Sequence, residues 1–258
     1  MLKVSFEIMK SIFNLCIICT FWVAVSGAVS AATLSGAGTR ETLIEQEDLS
    51  FLSLGVDYQN QQRDINTSSQ GKLRLKSQTL DGYIGVDPFK WLTVFATLGG
   101  TAGEVSGMSA YNDPKFQWSA GFDVNWWRHH LEEPDFLAGE LSLKTHAEFG
   151  MHNSGSDSEK VNWDEYFAAL LLNYETLAVR GEDPHRYPHS LVLFAGPGFS
   201  WLSGNYYQNP TQKADFHEAH VFGVVGGLEL FVASNLSLGG AIQYYDAVTV
   251  NVSARYHF

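Results

Sequence analysis

The sequence predicts an all-β fold: a transmembrane antiparallel up-and-down β-barrel of about ten strands, with eight as the alternative, after a cleaved signal peptide. Three observations carry this. Beyond residue 31 no apolar stretch reaches the ~20 residues of a spanning helix, so membrane crossing must use strands. Segment after segment alternates apolar and polar residues with period two. The composition, 14% aromatic with 24 glycines and only 17% charged residues in 258, suits turn-linked sheets and excludes disorder or a long charged helix.

Residues 1–31 read as the signal peptide. Lys3 and Lys10 lead into an apolar run from Ile12 to Val25, followed by small residues from Ser26 to Ala32, with cleavage near Ala31. Cys16 and Cys19 are the only cysteines. Both lie in that segment, so the mature chain offers no thiol for a disulfide, a metal or a nucleophile. Residues 32–48 are an N-terminal lead segment, and 49–258 form the barrel domain. A formal net charge of -12 leaves no basic stripe for phosphate, so no nucleic-acid partner is expected. No cofactor is expected either.

Alternation is clearest in three places. Phe116, Trp118, Ala120, Phe122, Val124 and Trp126 oppose Gln117, Ser119, Gly121, Asp123, Asn125 and Trp127. Leu137, Gly139, Leu141, Leu143, Thr145, Ala147 and Phe149 oppose Ala138, Glu140, Ser142, Lys144, His146 and Glu148. At the end, Val248, Val250, Val252, Ala254, Tyr256 and Phe258 oppose Thr249, Asn251, Ser253, Arg255 and His257. One face could meet hydrocarbon and the other could not.

Applied along the chain, the pattern gives strands near 49–58, 72–87, 91–103, 115–127, 136–150, 161–176, 190–202, 216–232, 235–245 and 247–258. Tight turns such as Asp87-Pro88-Phe89-Lys90 and Ser234-Asn235 join some of them. Stretches near 59–71, 104–114, 151–160 and 203–215 read as outer loops. The second strand changes phase: Leu73 and Leu75 are odd, whereas Leu80, Ile84 and Val86 are even. That predicts a bulge or a projection beyond the bilayer. Residues 190–202 are apolar on both faces. Trp91, Trp118, Trp126, Trp127, Trp163 and Trp201 fall near strand ends, as interfacial girdles require.

The final strand, with Val252, Tyr256 and Phe258 on its apolar face, is similar to the C-terminal signal of outer-membrane barrels. The mature chain resembles a small bacterial outer-membrane β-barrel protein, closest to the OmpA-like and OmpX-like barrels. The resemblance implies the outer membrane of a Gram-negative bacterium. It also implies outer-membrane lipids, the barrel-assembly machinery and periplasmic chaperones as partners.

The second face collects Asp57, Asp81, Asp123, Glu140, Lys144, His146, Glu148, Glu165, Glu175, Glu229 and Arg255. In a closed barrel these point inward. Asp123, Glu140, Lys144, His146, Glu148 and Arg255 make the expected lumen charge network, with Lys144 and Arg255 as basic partners for surplus acids. The first functional reading is a non-enzymatic barrel in envelope integrity, adhesion or limited solute passage; the second is a narrow cation-preferring pore. The third is a rim enzyme. Asp215 and His217, two apart, resemble the Asp-x-His pair of omptin-type proteases and are the candidate catalytic residues. The second acidic pair of that family is absent, since only Glu104 and Asp113 occur in the corresponding stretch. His189-Ser190 is adjacent and so on opposite faces of a strand. His129-His130, and His217 with His220, could each form a metal pair, but lone pairs in loops read first as solvated surface.

Overall fold

The computed structural model describes residues 51–68, 71–107, 113–131, 139–156, 159–177, 190–209, 212–233 and 235–258. The expected signal peptide, the lead segment and His189 lie outside the described residues. Among the described residues every element is a strand: β1 (Leu52–Thr67), β2 (Gly71–Phe89), β3 (Leu92–Val105), β4 (Lys115–Leu131), β5 (Gly139–Gly155), β6 (Lys160–Leu177), β7 (Ser190–Asn209), β8 (Gln212–Glu218), β9 (Phe222–Ala233), β10 (Leu236–Tyr244) and β11 (Val248–His257). All neighbours are antiparallel, and β1 pairs with β11 from Ser53↔His257 to Asn60↔Val250, which closes the barrel.

The strand segments β8 and β9 are two halves of one passage. Along β7, residues Ser203–Asn209 face β8 and Ser190–Phe199 face β9. The barrel therefore has ten passages, as the alternation predicts. We call the end where β1 begins and β11 finishes the near end, and the other the far end. The β10–β11 hairpin turns back at Tyr244 and Val248, short of the far end. Beyond it β1 pairs directly with β8, from Ile65↔Glu218 to Thr67↔Phe216. Ten strands thus enclose the near end and eight, β1 to β8, the far end. At the fork, Ala219 N donates to Asp64 O at 3.0 Å, and Asp64 N donates to the carboxylate of Asp246 in the short hairpin's turn at 2.9 Å.

Several expectations need correction. Three of the four stretches read as outer loops, 59–71, 151–160 and 203–215, are mostly strand, because β1, β5 and β7 run on to Thr67, Gly155 and Asn209 and β8 starts at Gln212. The phase change in β2 is not a bulge: its register against β1 is unbroken from Leu52↔Val86 to Thr67↔Gly71. The backbone keeps its period while the apolar residues change sides. Leu75 is fully buried inside, whereas Leu80 and Ile84 are exposed outside. A real bulge lies in β4 between Asn125 and Trp127. It puts Trp126 and Trp127 both outside, so Trp127 leaves the polar face assigned to it. Trp163 is no girdle residue; it is 2% exposed and packs in the interior.

Interior aromatics fit because glycines leave room for them. A Cβ at Gly121 would strike the ring of Phe95, one at Gly103 or Gly204 would crowd Trp163, and ones at Gly198 and Gly223 would meet Tyr245. The β1–β2 turn ends on Gly71, whose φ of 77° favours glycine.

Candidate functional site

Closing strands with one polar face concentrates ionisable groups in the lumen. At the near end, Ser237 Oγ donates to Glu229 Oε1 at 2.7 Å and lies 3.0 Å from His257 Nε2. Thr93 Oγ1 donates to Asp87 Oδ1 at 2.6 Å, and Ser190 Oγ donates to Glu175. Glu140 faces Arg128 Nη1 at 3.6 Å and His130 Nδ1 at 3.2 Å.

Deeper in, Arg255 Nη2 lies 3.4 Å from Asp57 Oδ1, with its guanidinium 4.2 Å above the Tyr83 ring. Asp123 Oδ1 is 3.8 Å from Lys144 Nζ and 3.0 Å from His146 Nδ1, and His146 Nε2 is 3.4 Å from Glu148 Oε2. The imidazole stacks on Phe95 and meets the edge of Phe167. Asp123, Lys144, His146, Glu148 and Arg255 are thus gathered in one region of the lumen. Glu140 belongs to the near mouth, held by Arg128 and His130.

The third layer is built on Arg63, which is 0% exposed. Its Nη2 donates to Gln243 Oε1 at 3.2 Å and lies 3.7 Å from Glu165 Oε1; Nη1 is 3.5 Å from Glu218 Oε1. The guanidinium sits 3.9 Å over the Tyr245 ring. Gln61 Nε2 reaches both Glu165 oxygens at 3.0 Å, and Ser200 Oγ donates to Glu218 Oε2 at 2.7 Å. One side chain therefore ties β1 to β6, β8 and β10 just where ten strands become eight. Sequence reading missed Arg63 because its neighbours Gln61, Gln62 and Asp64 are polar on both faces. The available signal was the continued odd phase Asp57, Gln59, Gln61, Arg63, Ile65.

Above Arg63 the interior becomes apolar. Ile65, Leu75, Val105, Val161, Trp163, Leu202, Tyr206, Ala214 and Phe216 pack into one buried cluster in the far section. Below it Phe167, Leu171, Phe194, Val225 and Tyr245 form a second. Between the walls of β1–β4 and β4–β6 is a cavity of about 10 Å³, room for roughly one water.

Asp215 and His217 alternate with the inward Ala214, Phe216 and Glu218, so both point outward and are exposed. Asp215 pairs with Lys213 at 3.1 Å. No hydrogen bond joins the two candidate residues, and neither faces the lumen. Glu104 is bound to Lys76 at 2.9 Å on β2. His129 stacks outside on Trp127, and His220 is exposed between β8 and β9. Among the described residues no three of His, Cys, Asp or Glu converge as ligands of one metal ion.

No family model and no curated protein matches the chain. Solved structures to which it is similar include one described as "Asymmetric conductivity of engineered proteins", at 10% identity and TM-score 0.17, and mutants of Rh. blastica porin, at 10% identity and TM-score 0.16. Each alignment covers 82% of this chain and 100% of the other. The fold itself stands on the pairing register described above.

Proposed function

We propose that the protein is a plugged outer-membrane barrel of the small OmpA-like or OmpX-like type, serving envelope integrity or adhesion rather than transport or catalysis. A reversal of polarity along the strands carries this reading. From the near end, outward residues are apolar for about ten positions per strand, the length a tilted strand needs to cross a bilayer. On β6 these are Tyr174, Leu172, Leu170, Ala168 and Tyr166; on β7, Leu191, Leu193, Ala195, Pro197, Phe199 and Trp201. Beyond them the outward residues turn polar, as in Asn153, Asn162, Asp164, Ser203 and Asn205, while the interior turns apolar. A lipid-facing section continued by a water-facing one accounts for both changes. The water-facing section would project outward from the cell, with the near end in the periplasm.

The segment 1–31 would direct export, periplasmic chaperones would carry the chain, and the outward face of β11 (Val252, Tyr256, Phe258) would engage the barrel-assembly machinery. Plugging is supported by the fully buried Arg63 layer and by the apolar cluster packed beyond it. Planar-bilayer recordings should show no discrete conductance steps. Cation-selective steps would replace this reading with the narrow pore. Single cysteines test the boundary in intact cells: Asp215→Cys, at an exposed outward position of β8, should react with a membrane-impermeant maleimide and Leu193→Cys should not. Equal labelling of both would refute the assignment of lipid and water sections.

A further inference from the structure

We propose that the seam between β1 and β8 is a proton-operated latch: Glu218 holds a proton while the seam is closed, and giving it up to water releases β8 from β1 and uncovers the apolar interior of the far section.

Three observations meet at this place. The first is how little closes the seam. β8 is held on β7 from Ser203↔His217 to Asn209↔Gln212, but on β1 only over the three pairs from Ile65↔Glu218 to Thr67↔Phe216. At the two ends of that short pairing Ser68 N donates to Asp215 O at 3.1 Å and Ala219 N to Asp64 O at 3.0 Å. Parting β8 from β1 therefore leaves its longer pairing with β7 intact.

The second is the ion pair set across the seam. Arg63 on β1 is one guanidinium between two carboxylates, with Glu165 Oε1 at 3.7 Å and Glu218 Oε1 at 3.5 Å, and all three residues are buried. Gln61 Nε2 serves both oxygens of Glu165 at 3.0 Å. Glu218 is less well provided: Ser200 Oγ donates to its Oε2, while Oε1 is buried without a hydrogen bond. Asp246 in the β10–β11 turn adds a further negative charge, Tyr245 of the same turn covers the guanidinium, and His152 on β5 stands 3.9 Å behind Glu165. One cation does not neutralise two buried acids, so the acid with the bare oxygen carries the proton. β8 lies beyond the apolar outer stretch, since its outward residues are Lys213, Asp215 and His217. Burial pushes the Glu218 carboxyl up to about 7 against the pull of Arg63, and Glu165 adds to the push.

The third is what the seam covers. Ile65 on β1 and Leu75 on β2 pack with Tyr206 on β7 and Phe216 on β8 in one buried cluster. That cluster favours closure and the second carboxylate opposes it, so the proton decides between them. In the open seam Glu218 meets water and regains an ordinary carboxylate value. Closing thus takes up a proton: acid favours the closed form, and this contribution is lost as pH rises through about 7. Between pH 6 and pH 8 the opening equilibrium should rise about tenfold.

The latch requires only the closed barrel, so it does not depend on the membrane reading. The test uses residues 32–258, which contain no cysteine, refolded in detergent micelles. Ile65→Cys, buried at the seam, is treated with a water-soluble maleimide from pH 6 to pH 8. Its rate is divided by that of Asp215→Cys, an exposed position of β8, which removes the thiol's own pH dependence. The ratio should rise about tenfold. Glu218→Gln should hold it at its pH 6 value, whereas His217→Gln, which removes an exposed imidazole one residue away, should leave the rise intact. Hydrogen exchange of the unsubstituted chain, corrected for the intrinsic rate, reads the same opening at the Ser68 and Ala219 amides, whose bonds cross the seam, and decides the matter if Ile65→Cys fails to refold. Exchange at those two amides that stays flat from pH 6 to pH 8 would overturn the proposal, as would a rise that survives Glu218→Gln or disappears in His217→Gln.

Discussion

The near and far sections of this barrel are built from the same strands yet obey opposite rules. On β2, the near section turns Leu80 and Ile84 outward and Asp81 and Tyr83 inward; the far section turns Lys72, Arg74 and Lys76 outward and Leu75 inward. The strand between them has neither bulge nor register shift. On the membrane reading proposed above, only the medium against the outer face changes. Where lipid covers the outside, apolar groups gain nothing by turning inward and the polar face must enter the lumen. Where water covers the outside, the hydrophobic effect drives apolar groups into the interior, as in any soluble barrel. The narrowing from ten strands to eight serves this change, because a smaller circumference can be filled by a compact side-chain cluster.

The largest effect should come from the far interior. Trp163→Ala removes the bulkiest member of its cluster and should cost about 3–5 kcal/mol in urea unfolding. Trp126→Ala, an exposed indole on the near section's outside, should cost far less; equal losses would show that the far cluster is no true core. At the junction, Arg63→Ala leaves Glu165 and Glu218 facing each other without their cation, and should also cost about 3–5 kcal/mol. Arg63→Met with Glu218→Gln should recover part of that loss. If the single substitution is silent in the same assay, Arg63 does not hold the fork.

A smaller effect separates the two outer faces within one strand. Leu172→Lys, in the middle of the apolar stretch of β6, should cost about 2–4 kcal/mol in bilayers and reduce the heat-modifiable band on gels. Asn162→Lys, on the same face nearer the far end, should change stability by no more than about 0.5 kcal/mol. Comparable damage at both positions would erase the boundary between the sections. The smallest effect is expected for the outward pair Lys76–Glu104 at 2.9 Å. Lys76→Ala should cost about 0–1 kcal/mol, less at high salt, as for any solvated ion pair.

Much of this was legible in the sequence because period two survives in any medium. The alternation through Phe116–Val124, Leu141–Phe149 and Val248–Phe258 set the strands, their number and the inward acids. It failed wherever a rule of constant outward hydrophobicity was assumed. The β2 phase change resembled a bulge only because Leu73 and Leu75 were expected to face lipid. Residues 59–67 and 203–209 resembled loops because polar residues on the outer face blurred the contrast between faces. Trp127 needed the β4 bulge to be known before its side could be assigned.

The sequence by itself determined a β-barrel with an acidic lumen, since local alternation depends on neighbours along the chain. Tertiary structure alone decided that Asp64, Asp246 and Ala219 meet at a fork, that Arg63 reaches Glu165, Glu218 and Gln243, and that Arg255 meets Asp57. Those contacts join residues up to 198 positions apart, and their register follows from barrel closure and strand stagger, which no local pattern encodes.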